Sequence, residues 1–312
     1  MKEKVFISTT SFSKDDPRPL QILTDANLEI FLNPHGRKLN EDEITGFLKN
    51  TEYLIAGTEP LTRKVLESAK KLKIISRVGV GLDNVDLEAA KHAGIKVYNT
   101  PYGPTQSVAE LTVGMILGLL RMVTLMDKDI RAGVWKKRTG NLLKDKRVGI
   151  IGFGRIGQRV GELLLPFGVE ISYYDLCAVK TSLNCTFKPL NELLQWADII
   201  SLHCSTLQNN KPVLGKDEIR NIKKGAWLIN TSRGGIVDEE SLCASLKNGD
   251  LSGAALDVFE KEPYQGPLTG LSNVILTPHI GSYSKEARVK MEIDAAENIL
   301  AGLKSGQENK KI

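Results

Sequence analysis

Short apolar runs alternate with longer stretches in which apolar residues recur every three or four positions. Runs at 4–8, 29–32, 53–56, 74–77 and 96–99 are rich in β-branched and aromatic residues and read as strands. Segments 40–50 and 62–69, between them, carry helical periodicity. A second series of strands follows at 147–151, 169–174, 198–202, 226–230, 253–256 and 274–276, with helical patterns between most of them. Nearly continuous apolar strands interleaved with helices predict parallel sheets covered on both faces. The periodicity also predicts a long helix over 107–122 and an amphipathic helix over 285–304. A turn-rich stretch, NTPYGP at 99–104, separates the two series and predicts two α/β domains. Periodicity alone assigns the last helix to neither.

Composition narrows the function classes. The 312 residues are 41% hydrophobic and 25% charged, enough for real cores and too apolar for a disordered chain. The net charge of +5 is spread along the chain. The basic clusters at 70–73 and 131–138 lack the interleaved aromatics, apart from Trp135, that would suggest nucleic acid. Cys177, Cys185, Cys204 and Cys243 are scattered, with no CxxC pair, so neither a disulfide framework nor a zinc knuckle is expected. The first residues lack the apolar run of a secretory signal. The most apolar stretch, 111–126, is interrupted by Arg121 and predicts a buried helix, not a membrane span. A cytoplasmic protein is the expectation.

The strand at 147–151 runs directly into Gly152-Phe153-Gly154-Arg155-Ile156-Gly157, followed by a helical segment that Pro166 and Gly168 close. In a strand–GxGxxG–helix unit Gly152 permits the tight turn, Gly154 lets the backbone approach a pyrophosphate, and Gly157 lets the helix sit against the sheet. The helix N-terminus then offers N–H groups to phosphate. The next strand ends in Asp175, about 20 residues on, where a carboxylate accepts ribose hydroxyls and repels a 2′-phosphate. These residues predict a dinucleotide site with NAD preferred over NADP.

In doubly wound sheets ligands bind beyond the carboxyl ends of the strands. There the second series carries His203, Thr231-Ser232-Arg233-Gly234-Gly235, Asp257 and Thr277-Pro278-His279. Arg233, flanked by glycines, is suited to hold a carboxylate and polarise a carbonyl. His279, after a proline and near Gly281, is a candidate general acid/base. Glu262, separated from it by a loop and a strand, would favour the imidazolium and hold one tautomer if the two meet. His203 with Cys204 lacks a second ligand pair, so a cofactor contact or packing is expected there and no metal. His35 and His92 read as surface residues.

Six motifs carry a family resemblance: RVGVGLDNVD at 77–86, SVAE at 107–110, GFGRIG at 152–157, NTSRGGIVD at 230–238, ALDVFEKEP at 255–263 and TPHIGS at 277–282. With these the chain resembles the D-isomer-specific 2-hydroxyacid dehydrogenases over nearly its whole length, the phosphoglycerate dehydrogenase-like branch above all. The resemblance implies a flavodoxin-like substrate domain (1–100 and 285–312) with an inserted Rossmann NAD-binding domain (101–284), and a homodimer built mainly on the latter. It puts the catalytic trio on Arg233, Glu262 and His279, and carboxylate-binding backbone on Val80 and Gly81, with Arg77 facing a substrate phosphate. It puts cofactor contacts on Arg155, Ile156, Asp175, Thr231, Ser232, Arg233, Asp257, His279, Gly281 and Ser282.

The implied reaction is hydride transfer between nicotinamide and C2 of a D-2-hydroxy acid or 2-oxo acid. Candidate substrates are 3-phosphoglycerate, glyoxylate and hydroxypyruvate. The loop Ala56-Gly57-Thr58-Glu59 offers no basic side chain for a phosphate. A non-catalytic NAD(H)-sensing protein is the alternative from another class, and a formate- or phosphite-type dehydrogenase is a third.

Overall fold

The computed structural model describes residues 2–205 and 211–308; residues 1, 206–210 and 309–312 lie outside the described residues. The chain forms two compact units, one of residues 1–104 and 282–312, the other of residues 105–281.

In the first unit five parallel strands, β1 (Lys4–Ile7), β2 (Glu29–Leu32), β3 (Tyr53–Ala56), β4 (Ile74–Arg77) and β5 (Lys96–Tyr98), pair in the order β2-β1-β3-β4-β5. That 2-1-3-4-5 order is the flavodoxin-like arrangement of a doubly wound sheet. The connecting helices are α1 (Arg18–Asp25), α2 (Glu41–Leu48), α3 (Arg63–Ser68) and α4 (Leu87–His92). Side chains of Asn40, Thr62 and Asp86 cap α2, α3 and α4, accepting from N–H groups that the helices leave unpaired.

The second unit holds a seven-stranded parallel sheet: β6 (Arg147–Ile151), β7 (Glu170–Tyr174), β8 (Thr186–Phe187), β9 (Ile199–Leu202), β10 (Trp227–Asn230), β11 (Gly253–Leu256) and β12 (Val274–Leu276). Its order is β12-β11-β10-β9-β6-β7-β8. The strand order reverses between β6 and β9, the Rossmann switch point where dinucleotides bind. Around it lie α5 (Pro104–Leu120), α6 (Val123–Arg131), α7 (Arg155–Leu164), α8 (Leu190–Trp196), α9 (Lys216–Asn221) and α10 (Glu239–Asn248). Strands β9 and β11 are buried at every position, which is why they read as apolar runs broken only by Ser201.

The last helix, α11 (Lys285–Glu308), packs on the first unit: Met291, Ala295, Ala296 and Ile299 share a core with Val5, Ile7, Leu23, Tyr53, Ile55 and Ile74. Each of the Val, Leu, Ile and Met side chains contributes about 1.5–3 kcal/mol on full burial.

Two details depart from the periodicity. The helix expected over 107–122 begins at Pro104 and ends at Leu120. Met122 then takes a left-handed φ of 51°, and α6 leaves at 64° to α5. No single described helix is long and apolar enough to cross a membrane. Strand β8 has two residues, both exposed, too few to show an alternation.

Candidate active site

The glycine loop joins β6 to α7. Gly152 has φ 88°, and a Cβ there would lie 2.5 Å from Cys204 N, so only glycine lets the turn pass the end of β9. A Cβ on Gly157 would lie 2.2 Å from the Gly152 carbonyl oxygen, which fixes how closely α7 approaches the loop. A Cβ on Gly154 would meet nothing within 4 Å, so space is open on that side of the backbone. Gly154 is also the N-cap of α7 and offers no capping side chain, unlike the caps of α2, α3, α4 and α10. The first-turn amides of α7 thus remain for an external anion. Asp175, beyond β7, accepts from Phe153 N at 2.7 Å and Leu176 N at 2.7 Å, which holds its carboxylate over the loop. An open phosphate cradle with a carboxylate beside it is the donor and acceptor set that a dinucleotide without a 2′-phosphate requires.

A second cluster forms beyond β10, β11 and β12. Asn230, 2% exposed, shapes the loop that carries Arg233. Its Nδ2 donates to the Arg233 carbonyl at 2.9 Å, and its Oδ1 accepts from Ser232 N at 3.1 Å and Ser232 Oγ at 2.9 Å. Gly234 follows in close contact with the next loop: a Cβ there would lie 1.8 Å from the Phe259 carbonyl oxygen. Phe259 N donates to Glu262 Oε1 at 3.1 Å, and Glu262 Oε2 lies 3.0 Å from His279 Nδ1. The loops bearing Arg233, Glu262 and His279 are therefore contiguous. Carboxylate and imidazole are each partly exposed, with 38% and 46% of the side chain open to solvent. The bond at Nδ1 fixes the ring's orientation and leaves Nε2 as the nitrogen that exchanges a proton.

Asp257 ends β11 and is 1% exposed. Its Oδ1 accepts from Thr277 Oγ1 at 2.5 Å and Ile280 N at 2.7 Å, and its Oδ2 from Gly281 N at 2.7 Å. These bonds brace the turn in which His279 adopts a left-handed φ of 56°. Ser107 Oγ, on α5, donates to the Gly281 carbonyl at 2.7 Å and holds the turn from its other side. Glu239, at the start of α10, accepts from Glu260 N at 2.7 Å; burial pushes its carboxyl above the usual range, and Glu260 and Glu262 add to the shift. The strand-end rule did not single out Asn230, Ser107 or Glu239. Asn230 and Ser107 do open two of the motifs that carry the resemblance, NTSRGGIVD and SVAE, whereas nothing in the sequence marked Glu239.

The other expected residues lie as follows. Thr231 is buried, with its hydroxyl 2.8 Å from Thr112 Oγ1. His203 Nε2 lies 2.8 Å from Ser201 Oγ, and its Nδ1 is buried without a partner. Burial pushes the His203 imidazole down to about 3, so it is a neutral ring, and burial lifts the Cys204 thiol to about 11. Arg155 is exposed and Ile156 half-buried on the first turn of α7. Arg77, Val80, Gly81 and Ser282 belong to the first unit. There Arg77 Nη1 donates to the Val78 carbonyl at 2.9 Å, and Asn99 Nδ2 donates to the Val80 carbonyl at 2.7 Å. His35 and His92 are exposed. Among the described residues no group of three His, Cys, Asp or Glu side chains is arranged to hold a metal ion.

Residues 113–281 match the model of the D-isomer specific 2-hydroxyacid dehydrogenase NAD-binding domain. A hydroxypyruvate reductase of Thermotoga maritima is 37% identical over 272 residues, covering 85% of this chain and 89% of the relative. The chain belongs to the D-isomer specific 2-hydroxyacid dehydrogenase family. It is an NAD-dependent oxidoreductase. A D-3-phosphoglycerate dehydrogenase of Methanocaldococcus jannaschii is 40% identical over 270 residues, 84% of this chain and 51% of the relative. The chain therefore spans about half the length of that dehydrogenase. The D-lactate dehydrogenase of Aquifex aeolicus, solved with NAD and lactic acid, superposes with a TM-score of 0.85 at 29% identity, covering 98% of this chain and 97% of that one.

Proposed function

We propose that this dehydrogenase interconverts a small 2-oxo acid and its D-2-hydroxy acid, with Arg233, Glu262 and His279 as the working side chains. The observation that carries the reading is the run of contacts from Gly234 through Phe259 and Glu262 to His279. NAD, when bound on the Gly152–Gly157 loop, supplies the hydride acceptor or donor. Arg233 binds the 2-oxo acid and stabilises negative charge developing on the carbonyl oxygen. His279 delivers a proton from Nε2 to that oxygen during reduction and removes it during oxidation. Glu262 orients the imidazole through Nδ1. The first unit binds the substrate carboxylate through the backbone at Val80 and Gly81. Similarity to a hydroxypyruvate reductase and a D-3-phosphoglycerate dehydrogenase supports a short, polar 2-oxo acid.

The reading extends to a cytoplasmic homodimer. Val123, Ile130, Val134, Trp135 and Leu142 are exposed apolar side chains on α6 and the segment after it, a surface that a second copy would cover. The four cysteines are free, in keeping with a reducing compartment. The test mixes protein, NADH and a panel of glyoxylate, hydroxypyruvate, pyruvate and 3-phosphohydroxypyruvate and follows absorbance at 340 nm. Oxidation with at least one is expected. Tight NADH binding with no turnover on any of them would refute the reading.

A further inference from the structure

The loop after β3 holds a buried acid that proton and hydride transfer leave unexplained. Glu59 is 2% exposed. Its carboxylate accepts from Ser8 Oγ, just beyond β1, at 2.5 Å, and from Gly57 N at 3.2 and 3.1 Å. Asn84, on the loop after β4, donates to the Glu59 carbonyl at 2.7 Å and the Gly57 carbonyl at 3.4 Å. Three loops are thus tied together at the carboxyl end of the first unit's sheet, where doubly wound sheets bind ligands. Burial pushes the Glu59 carboxyl above its usual range, while Ser8, Gly57 and the charge of Arg77 oppose the rise. Accepting from a hydroxyl and from an amide, the carboxyl group sits where a bound oxyanion would sit. It occupies the hydroxyl and amide that an incoming oxyanion would need, and it balances Arg77. An open cavity beside the same loops, lined in part by Thr58, Asp83 and Asn84, adds Glu41 and Asp83 against Lys38.

We propose that Glu59 is a specificity-determining residue: it excludes 2-oxo acids that carry a second anionic group, so the enzyme takes unphosphorylated substrates with a single carboxylate. This rests on the reading in which the first unit binds substrate. The first test compares kcat/KM for hydroxypyruvate and 3-phosphohydroxypyruvate. The wild-type enzyme is expected to prefer hydroxypyruvate by about 100-fold or more, a ratio set by roughly 3 kcal/mol at tenfold per 1.4. Glu59→Gln keeps an acceptor for Ser8 but removes the charge. It should shrink the ratio at least tenfold, through KM of the phosphorylated substrate. Glu59→Asp keeps the charge and should keep the exclusion. A wild-type ratio near one, or a Gln variant with the wild-type ratio, overturns the proposal. If the Gln variant does not fold, the wild-type ratio decides alone. Calorimetry with inorganic phosphate needs no turnover and separates this proposal from the broader reading. Glu59→Gln should bind phosphate at least tenfold more tightly than wild type, and equal binding overturns the role of Glu59 even in an enzyme active on hydroxypyruvate.

Discussion

Asp257→Ala is the most informative single change in the nucleotide-binding unit. The wild-type carboxylate is buried and accepts from Thr277 Oγ1, Ile280 N and Gly281 N. Alanine leaves two backbone donors without their acceptor, each at about 1–3 kcal/mol. Water entering the turn relieves part of that, which leaves about 2–4 kcal/mol. The braced turn also carries His279 at φ 56°, a conformation that costs a non-glycine residue roughly 1–2 kcal/mol and relaxes once the bonds are gone. At about 1.4 kcal/mol per tenfold, amide exchange protection at Ile280 and Gly281 should fall by about 30- to 1000-fold. With His279 released, kcat should fall about 100-fold, while NADH affinity changes less than tenfold. Hydrogen–deuterium exchange reads the first, NADH oxidation the second and NADH fluorescence the third. Wild-type protection at Gly281, or kcat within threefold of wild type, would refute the bracing role. A loss confined to NADH affinity would show that Asp257 serves the cofactor instead.

Three further outcomes follow from the same contacts. Glu262→Gln weakens a half-exposed, solvent-screened bond to His279 and should lower kcat about five- to tenfold, or about 1 kcal/mol, with KM for the 2-oxo acid little changed; an unaltered kcat would remove Glu262 from the mechanism. Gly157→Ala drives a Cβ into the Gly152 carbonyl and should abolish NADH binding or folding, whereas Gly154→Ala meets open space and should fold normally while binding NADH more weakly; equal behaviour of the two contradicts the loop assignment. His203 stays neutral in the fold down to about pH 3, whereas the unfolded chain protonates it near 6.5. The unfolded state therefore binds the extra proton, and stability should fall as pH drops from 6.5 towards 3, by about 2–3 kcal/mol at pH 4.5 from this group. Urea midpoints at pH 7.5 and 4.5 should converge in His203→Gln, and an identical pH dependence would contradict the burial argument.

Much of the fold was legible because the second sheet is buried on both faces. Strands such as β11, and β9 apart from Ser201, are then apolar, and their polar ends stand out against that background. The strand-end rule drew Arg233, Asp257 and His279 to one end of one sheet from their positions alone. What stayed hidden depends on contacts that no periodicity encodes. The bend at Met122 arises from a single left-handed residue within an apolar stretch. The bracing role of Asp257 needs Ile280 and Gly281 to fold back on it. Glu59, between Thr58 and Pro60, reads as a solvated loop acid, and only the register of β1 against β3 brings Ser8 to it.

The central claim is that His279 exchanges the substrate proton beside a dinucleotide held on the Gly152–Gly157 loop. Its most direct test is single-turnover NADH oxidation by His279→Ala with the best 2-oxo acid of the panel, alongside NADH affinity. The rate should fall about 10²- to 10⁴-fold with NADH affinity unchanged. A variant that turns over within about threefold of wild type would contradict it.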